Sequence, residues 1–213
     1  MSTYTDSDHL KVSTGYRQIL AIALPISISI FIPQLNLLIN NIFLGHLNGE
    51  ALGNAGVTGV LYLVFSVAGF GFNNALQTLI SSYAGSGESN KFKVGLSQGI
   101  RMSLLLAICF IGFVWLISPF ILNNISEPST ANAEYSFLRI RILGLPFLYL
   151  FQLGNAVLVS TLNSNKLVIG FLVQAITNIL LDYVLIFGHA GFPALGFNGA
   201  AWSSVISECL GMC

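Results

Sequence analysis

Apolar residues dominate this chain in long uncharged stretches, broken by short segments that collect Gly, Pro, Asn and Ser. A helix needs roughly 20 residues to cross about 30 Å of hydrocarbon. Six stretches match that pattern, near 18–44, 57–84, 98–122, 137–162, 166–187 and 199–213. They predict helices, because an open set of strands would leave backbone N–H and C=O groups unpaired in lipid, and the alternation of a barrel strand is absent. The sixth stretch ends at "SECLGMC", about 15 residues in, where a span takes roughly 20, so a helix cut short is expected there. The pattern gives an all-α, polytopic membrane protein, with 1–15 as a polar tail and 16–213 as a six-helix transmembrane unit.

Composition agrees: 8% of residues are charged and 54% hydrophobic, against roughly 25% charged in soluble domains. Acids and bases balance at eight each, so net charge points to no nucleic-acid partner, and the surrounding partner is membrane lipid. Cys109, Cys209 and Cys213 lie among apolar neighbours and read as small core residues, with no metal site implied. The first residues carry both signs, unlike a cleavable signal peptide, and are expected to remain as the tail. Placement of charge says more. Lys11, Arg17, Lys91, Lys93, Arg101 and Lys166 flank one set of connections, whereas those near 45–56, 119–136 and 188–198 have no Lys or Arg. The positive-inside rule then puts both ends of the chain in the cytoplasm. Arg139 and Arg141 dissent at the outer end of the fourth stretch, where they are expected to snorkel outward or pair with Glu134.

Polar residues inside the spans are the candidate chemistry. Gln174, Asn178 and Asp182 recur every four residues and share one face of the fifth helix. A carboxylate at bilayer depth costs at least about 2.5–3.5 kcal/mol on insertion scales, so it marks an ion path, a partner or a cavity. Asp182 is the only such acid expected in the bundle. Asn36 and Asn40 share a face of the first helix just after Gln34 and Pro33, and Pro25 weakens the same helix lower down. The second helix adds Asn73, Asn74 and Gln77, and the fourth adds Gln152 and Asn155 beyond Pro146. Amides in lipid either line a path or join helices. An internal echo also occurs: "GHLNGEALGNAG" at 45–56 and "GHAGFPALGFNG" at 188–199 share a frame. It reads either as related hairpins or as ordinary helix-end glycine chemistry.

The segments "LPISISIFIPQLNLLINNIFLGHL", "EALGNAGV", "YAGSGESNK", "LRIRILGLPF" and "NILLDYVLIFGHAGFPALGFNGAAWSSVISE" resemble the first half of a MATE (multidrug and toxic compound extrusion) transporter across residues 16–211. The resemblance implies one six-helix lobe of a two-lobe transporter fold. It implies secondary active efflux of small cationic or amphipathic compounds in antiport with protons or sodium ions. No other cofactor is expected. It also implies ion or proton coupling at Asp182, Asn178 and Asn155, with Gln34, Asn36, Asn40, Asn74, Gln77 and Gln174 as cavity-lining or substrate candidates. Many members carry an acid at the place of Asn40, so a second titrating group is missing here. Nothing corresponds to a second lobe, so a fragment, or a half that pairs with another, is expected. The other reading is a non-transporting structural or interaction protein.

An enzyme is not expected. Aspartyl proteolysis in the bilayer needs two acids, a serine mechanism needs a His beside a membrane Ser, and His46 and His189 sit at loop starts. "GSGES" at 85–89 follows no strand and lacks the Lys-Ser/Thr of a phosphate loop.

Overall fold

A computed structural model describes residues 16–212, so the expected tail 1–15 and Cys213 lie outside the described residues. The described chain is helical throughout its regular parts. The helices are α1 (Tyr16–Leu47), α2 (Gly49–Gly85), α3 (Ser89–Ile125), α4 (Ala131–Arg141), α5 (Leu145–Ser160), α6 (Asn165–Phe187) and α7 (Phe197–Met212). A 3-10 turn at Ile142–Gly144 joins α4 to α5, and the three together form one span of 30 residues. With α1, α2, α3 and α6 this makes five elements long and apolar enough to cross a membrane. The protein is an all-α, multi-pass membrane protein.

The helices outrun their hydrophobic stretches. α2 and α3 each run 37 residues, about 55 Å at 1.5 Å per residue, well beyond the hydrocarbon. The start of α2 is set by a side-chain cap. Asn48 alone separates α1 from α2, and its side chain accepts from the Ala51 amide at 2.6 Å, which starts the new helix eight residues before the expected 57. The fourth span likewise begins at 131, six residues before the expected 137.

The two echoed glycine frames adopt different conformations. Gly45 lies within α1 and the chain is helical again from Gly49. Gly188 instead leaves α6 in the left-handed region, φ 76°, where a side chain is strained. The loop then folds back, Leu195 and Gly196 donating to the carbonyls of Leu185 and Ile186 at 2.8 and 3.2 Å. The turn after α6 fits glycine chemistry at a helix end, whereas the turn at 45–56 is made by the Asn48 cap with no glycine in the left-handed region.

Packing follows from the solvent. Lipid rewards no burial of Leu against Leu, so bulky side chains face outward and small or polar ones meet between helices. Leu116, Phe120 and Leu180 are largely exposed, whereas Ser103, Thr58, Ser203 and Asp182 are buried. Apolar cores remain where helix ends converge, around Leu44, Ile186 and Ala201, and mid-bundle around Ala107, Ile142 and Tyr149. Tyr149 lies flat against Gly69, where any Cβ would fall 2.0 Å from the ring, and its hydroxyl donates to the Phe65 carbonyl at 2.6 Å. That contact locks α5 to α2. α6 is flanked by α1 and α7, and α7 reaches α4 on its other side.

Candidate functional site

Asp182 is 0% exposed and Asn178 one turn below it is 1% exposed, so the stripe on α6 faces inward. Two rungs join it to α1. Asn40 Nδ2 donates to Asp182 Oδ2 at 3.1 Å, and the Asn36 and Asn178 amides meet at 2.9 Å. Both rungs span 142 residues of sequence, which requires α1 and α6 to run in the same direction. On the opposite flank, Ser203 of α7 donates to Asp182 Oδ1. Thus three helices supply the environment of one carboxylate.

The Asn178 amide can face either way. With Nδ2 toward α1 it donates to Asp182 Oδ2 at 3.2 Å and to Asn36 Oδ1 at 3.1 Å, while its Oδ1 meets Ser203 Oγ and the Ser204 amide at 3.2 Å. In the other sense Nδ2 donates to Ser203 Oγ at 3.2 Å and Oδ1 accepts from Asn36. The first suits an ionised Asp182, which accepts only, and the second a protonated one, which can also donate. Among the described residues no Lys or Arg forms an ion pair with Asp182. A buried carboxylate balanced by neutral donors alone can take up a proton or a small cation without first breaking a salt bridge.

Other sequence-derived candidates are placed differently. Gln174 is half-buried on α6, packs against Gly211 of α7 and makes no side-chain hydrogen bond among the described residues. Asn155 of α5 is half-buried and has no hydrogen-bond partner among the described residues, so it is not joined to Asp182 or Asn178. Gln34 and Asn74 are exposed, and Gln77 is half-buried, contributing only its backbone carbonyl, which accepts from Ser160 at 3.3 Å. Asn73 joins helices: its Nδ2 lies 3.1 Å from the Gly69 carbonyl and 3.3 Å from both the Tyr149 carbonyl and Gln152 Oε1.

Two expectations fail. Arg141 neither snorkels nor pairs with Glu134. It is the last residue of α4, ten residues and about 15 Å into the span, and grips Glu208 of α7 at 2.9 and 2.5 Å. Its guanidinium lies 3.8 Å from the centre of the Tyr62 ring on α2. Glu134 accepts instead from Ser126, and Arg139 lies over Trp115 and Tyr135 at 4.9 and 5.3 Å. Asp182 is consequently not the only acid at this depth, since Glu208 is 3% exposed in the middle of the bundle. Sequence reading also missed Ser203. Its signal was the small-residue face of α7, where Ser203 and Ser207 stand one turn apart and both are buried.

A family model described as MatE matches residues 25–184. A probable multidrug resistance protein NorM from Geobacillus kaustophilus is 26% identical over 195 residues, covering 90% of this chain and 42% of that protein. A protein named FAD transporter from Shewanella oneidensis is 28% identical over 172 residues, covering 80% and 38%. Among solved structures, a MOP superfamily transporter from Pyrococcus furiosus superposes with a TM-score of 0.84 at 17% identity, over 100% of this chain and 46% of that one. An outward-facing multidrug resistance MATE family transporter gives 0.81 at 17% identity, over 91% and 42%. The chain thus spans about two fifths of the length of the curated relatives it matches.

Proposed function

Because the chain belongs to the MATE transporter family, we propose that it serves as the amino-terminal six-helix lobe of an efflux antiporter, with Asp182 as the group at which a proton or sodium ion couples to movement. One observation carries this reading: a fully buried carboxylate whose partners are Asn40, Asn178 and Ser203, with no cation among them. Occupancy by a proton or cation changes what Asp182 can accept, and therefore how firmly it holds Asn40. α1 carries Pro25 and Pro33 within its length, so its backbone ladder is already interrupted about two turns before the contact that changes. An ion that binds one arrangement of α1 better than another biases the bundle toward it, which is what coupling requires.

Relatives named for multidrug resistance support small cationic or amphipathic compounds as cargo, and the relative named FAD transporter supports a wider range. The substrate path lies where this lobe faces a second one, supplied by another chain or a further segment. Gln34, Asn36, Asn40, Asn74, Gln77 and Gln174 remain the candidates for lining it, and Asn178 and Asn155 those for assisting Asp182. Both ends of the chain face the cytoplasm in this reading. Cysteines placed at Glu50 and Glu127 should then react from outside with an impermeant thiol reagent, and labelling only after lysis would reverse the topology.

The deciding experiment joins this chain with a matching second lobe in proteoliposomes and follows dye efflux driven by a proton or sodium gradient. Efflux by the wild type and none by folded Asp182→Asn supports coupling at Asp182; equal efflux by both sinks it. The alternative is a half-protein without a transport cycle. Absence of efflux from the joined wild-type lobes would favour that.

A further inference from the structure

Ser203 and Glu208 both belong to α7 but point to different neighbours. Five residues turn a helix through about 500°, so the two side chains leave the axis about 140° apart and about 7.5 Å along it. Ser203 is tied to α6 through Asp182, and Glu208 to α4 through Arg141. Asn198 holds the start of α7 to Ser136 of α4 at 3.1 Å, and the two deeper tethers, pointing in different directions, fix the rotation of α7 beyond it.

The second tether is built into the fold. Arg141 binds both Glu208 oxygens, and the Tyr62 hydroxyl of α2 reaches Glu208 Oε1 at 3.4 Å. The pair occupies a notch at the break between α4 and α5. A Cβ on Gly144 would fall 2.2 Å from Glu208 Oε2 and 2.8 Å from Arg141 Nη1, so only glycine leaves room. A buried ion pair contributes little net stability compared with apolar packing, because desolvation offsets its attraction, and its attested use is to specify register. We propose that Arg141 and Glu208 are positioning residues for the Asp182 site: their ion pair fixes the rotation of α7 that keeps Ser203 against the Asp182 carboxylate. This rests on the reading of Asp182 as the coupling group.

The test is infrared spectroscopy of the full chain in lipid nanodiscs. The Asp182 stretching bands, in whichever protonation state they occur, are assigned by their loss in Asp182→Asn, and their frequencies report the hydrogen bonds the carboxyl makes. Ser203→Ala should shift them. The apolar replacement Arg141→Met with Glu208→Met, which leaves no unpaired charge, should shift them the same way, and adding Ser203→Ala to it should produce no further shift. Gly144→Ala, which displaces the pair by volume, should reproduce the effect and carries the comparison if the apolar pair does not fold. Asp182 bands at their wild-type frequency in the folded variants, or shifts that simply add, would overturn the proposal. Gradient-driven efflux that survives Asp182→Asn would instead defeat the coupling reading, while the band shifts would still decide the positioning role.

Discussion

Asp182 on α6 and Glu208 on α7 are both buried acids at membrane depth, yet their surroundings differ in kind. Glu208 is met by a guanidinium in a two-point contact, with an aromatic ring stacked behind the cation. Asp182 is met by an amide, a hydroxyl and a second amide that can turn either way. A fork of charged hydrogen bonds holds one geometry, because loosening either member leaves a bare charge in a poor solvent. Neutral donors hold an acid whose charge can change: Ser203 also reaches the Ala200 carbonyl at 3.0 Å, and the Asn178 amide can turn. The difference separates an acid suited to fixing helices from one suited to switching.

The sharpest way to break this comparison is to neutralise each acid. Asp182→Asn should abolish gradient-driven efflux in the two-lobe assembly while leaving membrane-inserted, folded protein at wild-type levels. Glu208→Gln should leave measurable efflux but lower the thermal stability of the detergent-solubilised chain. Unfolding of Asp182→Asn, together with loss of efflux in a stably folded Glu208→Gln, would exchange the two assignments.

The second expected effect concerns the ion pair. Truncating Arg141 or Glu208 alone to Met strands a charge in the bundle and should cost about 3–5 kcal/mol. Replacing both should be close to neutral. Thermal or denaturant unfolding of the two single variants and the double gives the cycle directly. If the double loses as much as the sum of the singles, the pair is a source of stability and the contrast with Asp182 fails.

A smaller effect sharpens the α1 side. Asn36→Ala removes the lower rung between α1 and α6 and leaves the Asn40 contact to Asp182 in place. Interhelical hydrogen bonds in membranes average about 0.6 kcal/mol and reach about 1.7. A loss within that range, read by unfolding in detergent, fits an amide that docks α1. A loss as large as that of the Arg141 variants would mean that α1 is fixed as firmly as α7.

How the two acids read in sequence follows from what hydropathy can see. Asp182 was legible because apolar residues surround it on both sides and amides recur at its four-residue spacing. Glu208 lies in "SECLGMC", near the end of the sixth apolar stretch, where no amides recur at four-residue spacing to mark it. Arg141 was misplaced because "ANAEYS" looks like a loop; those polar residues form the first turns of α4, where Glu134 and Ser136 find partners in Ser126 and Asn198. Pairing between Arg141 and Glu208, 67 residues apart, is set by how α4 and α7 meet, which no local pattern encodes. Helix ends were misread for a related reason. Hydrocarbon thickness sets the minimum length of a span, but caps such as Asn48 set where the helix stops.

The smallest effect expected on stability comes from residues that neither acid uses. Gln34 and Asn74 are exposed and their side chains make no hydrogen bond among the described residues, in a bundle whose other exposed side chains are largely Leu, Ile, Val and Phe. An amide turned toward hydrocarbon would forfeit its hydrogen bonds, so these two positions mark a surface that meets water or another protein segment rather than lipid. Gln34→Leu and Asn74→Leu should therefore change the unfolding free energy of the isolated chain by no more than about 0.5 kcal/mol, as for surface positions generally. In the two-lobe assembly the same variants should alter which dyes are exported. Unchanged selectivity together with a stability gain in lipid would place both residues on the lipid-facing surface and take them out of the cavity.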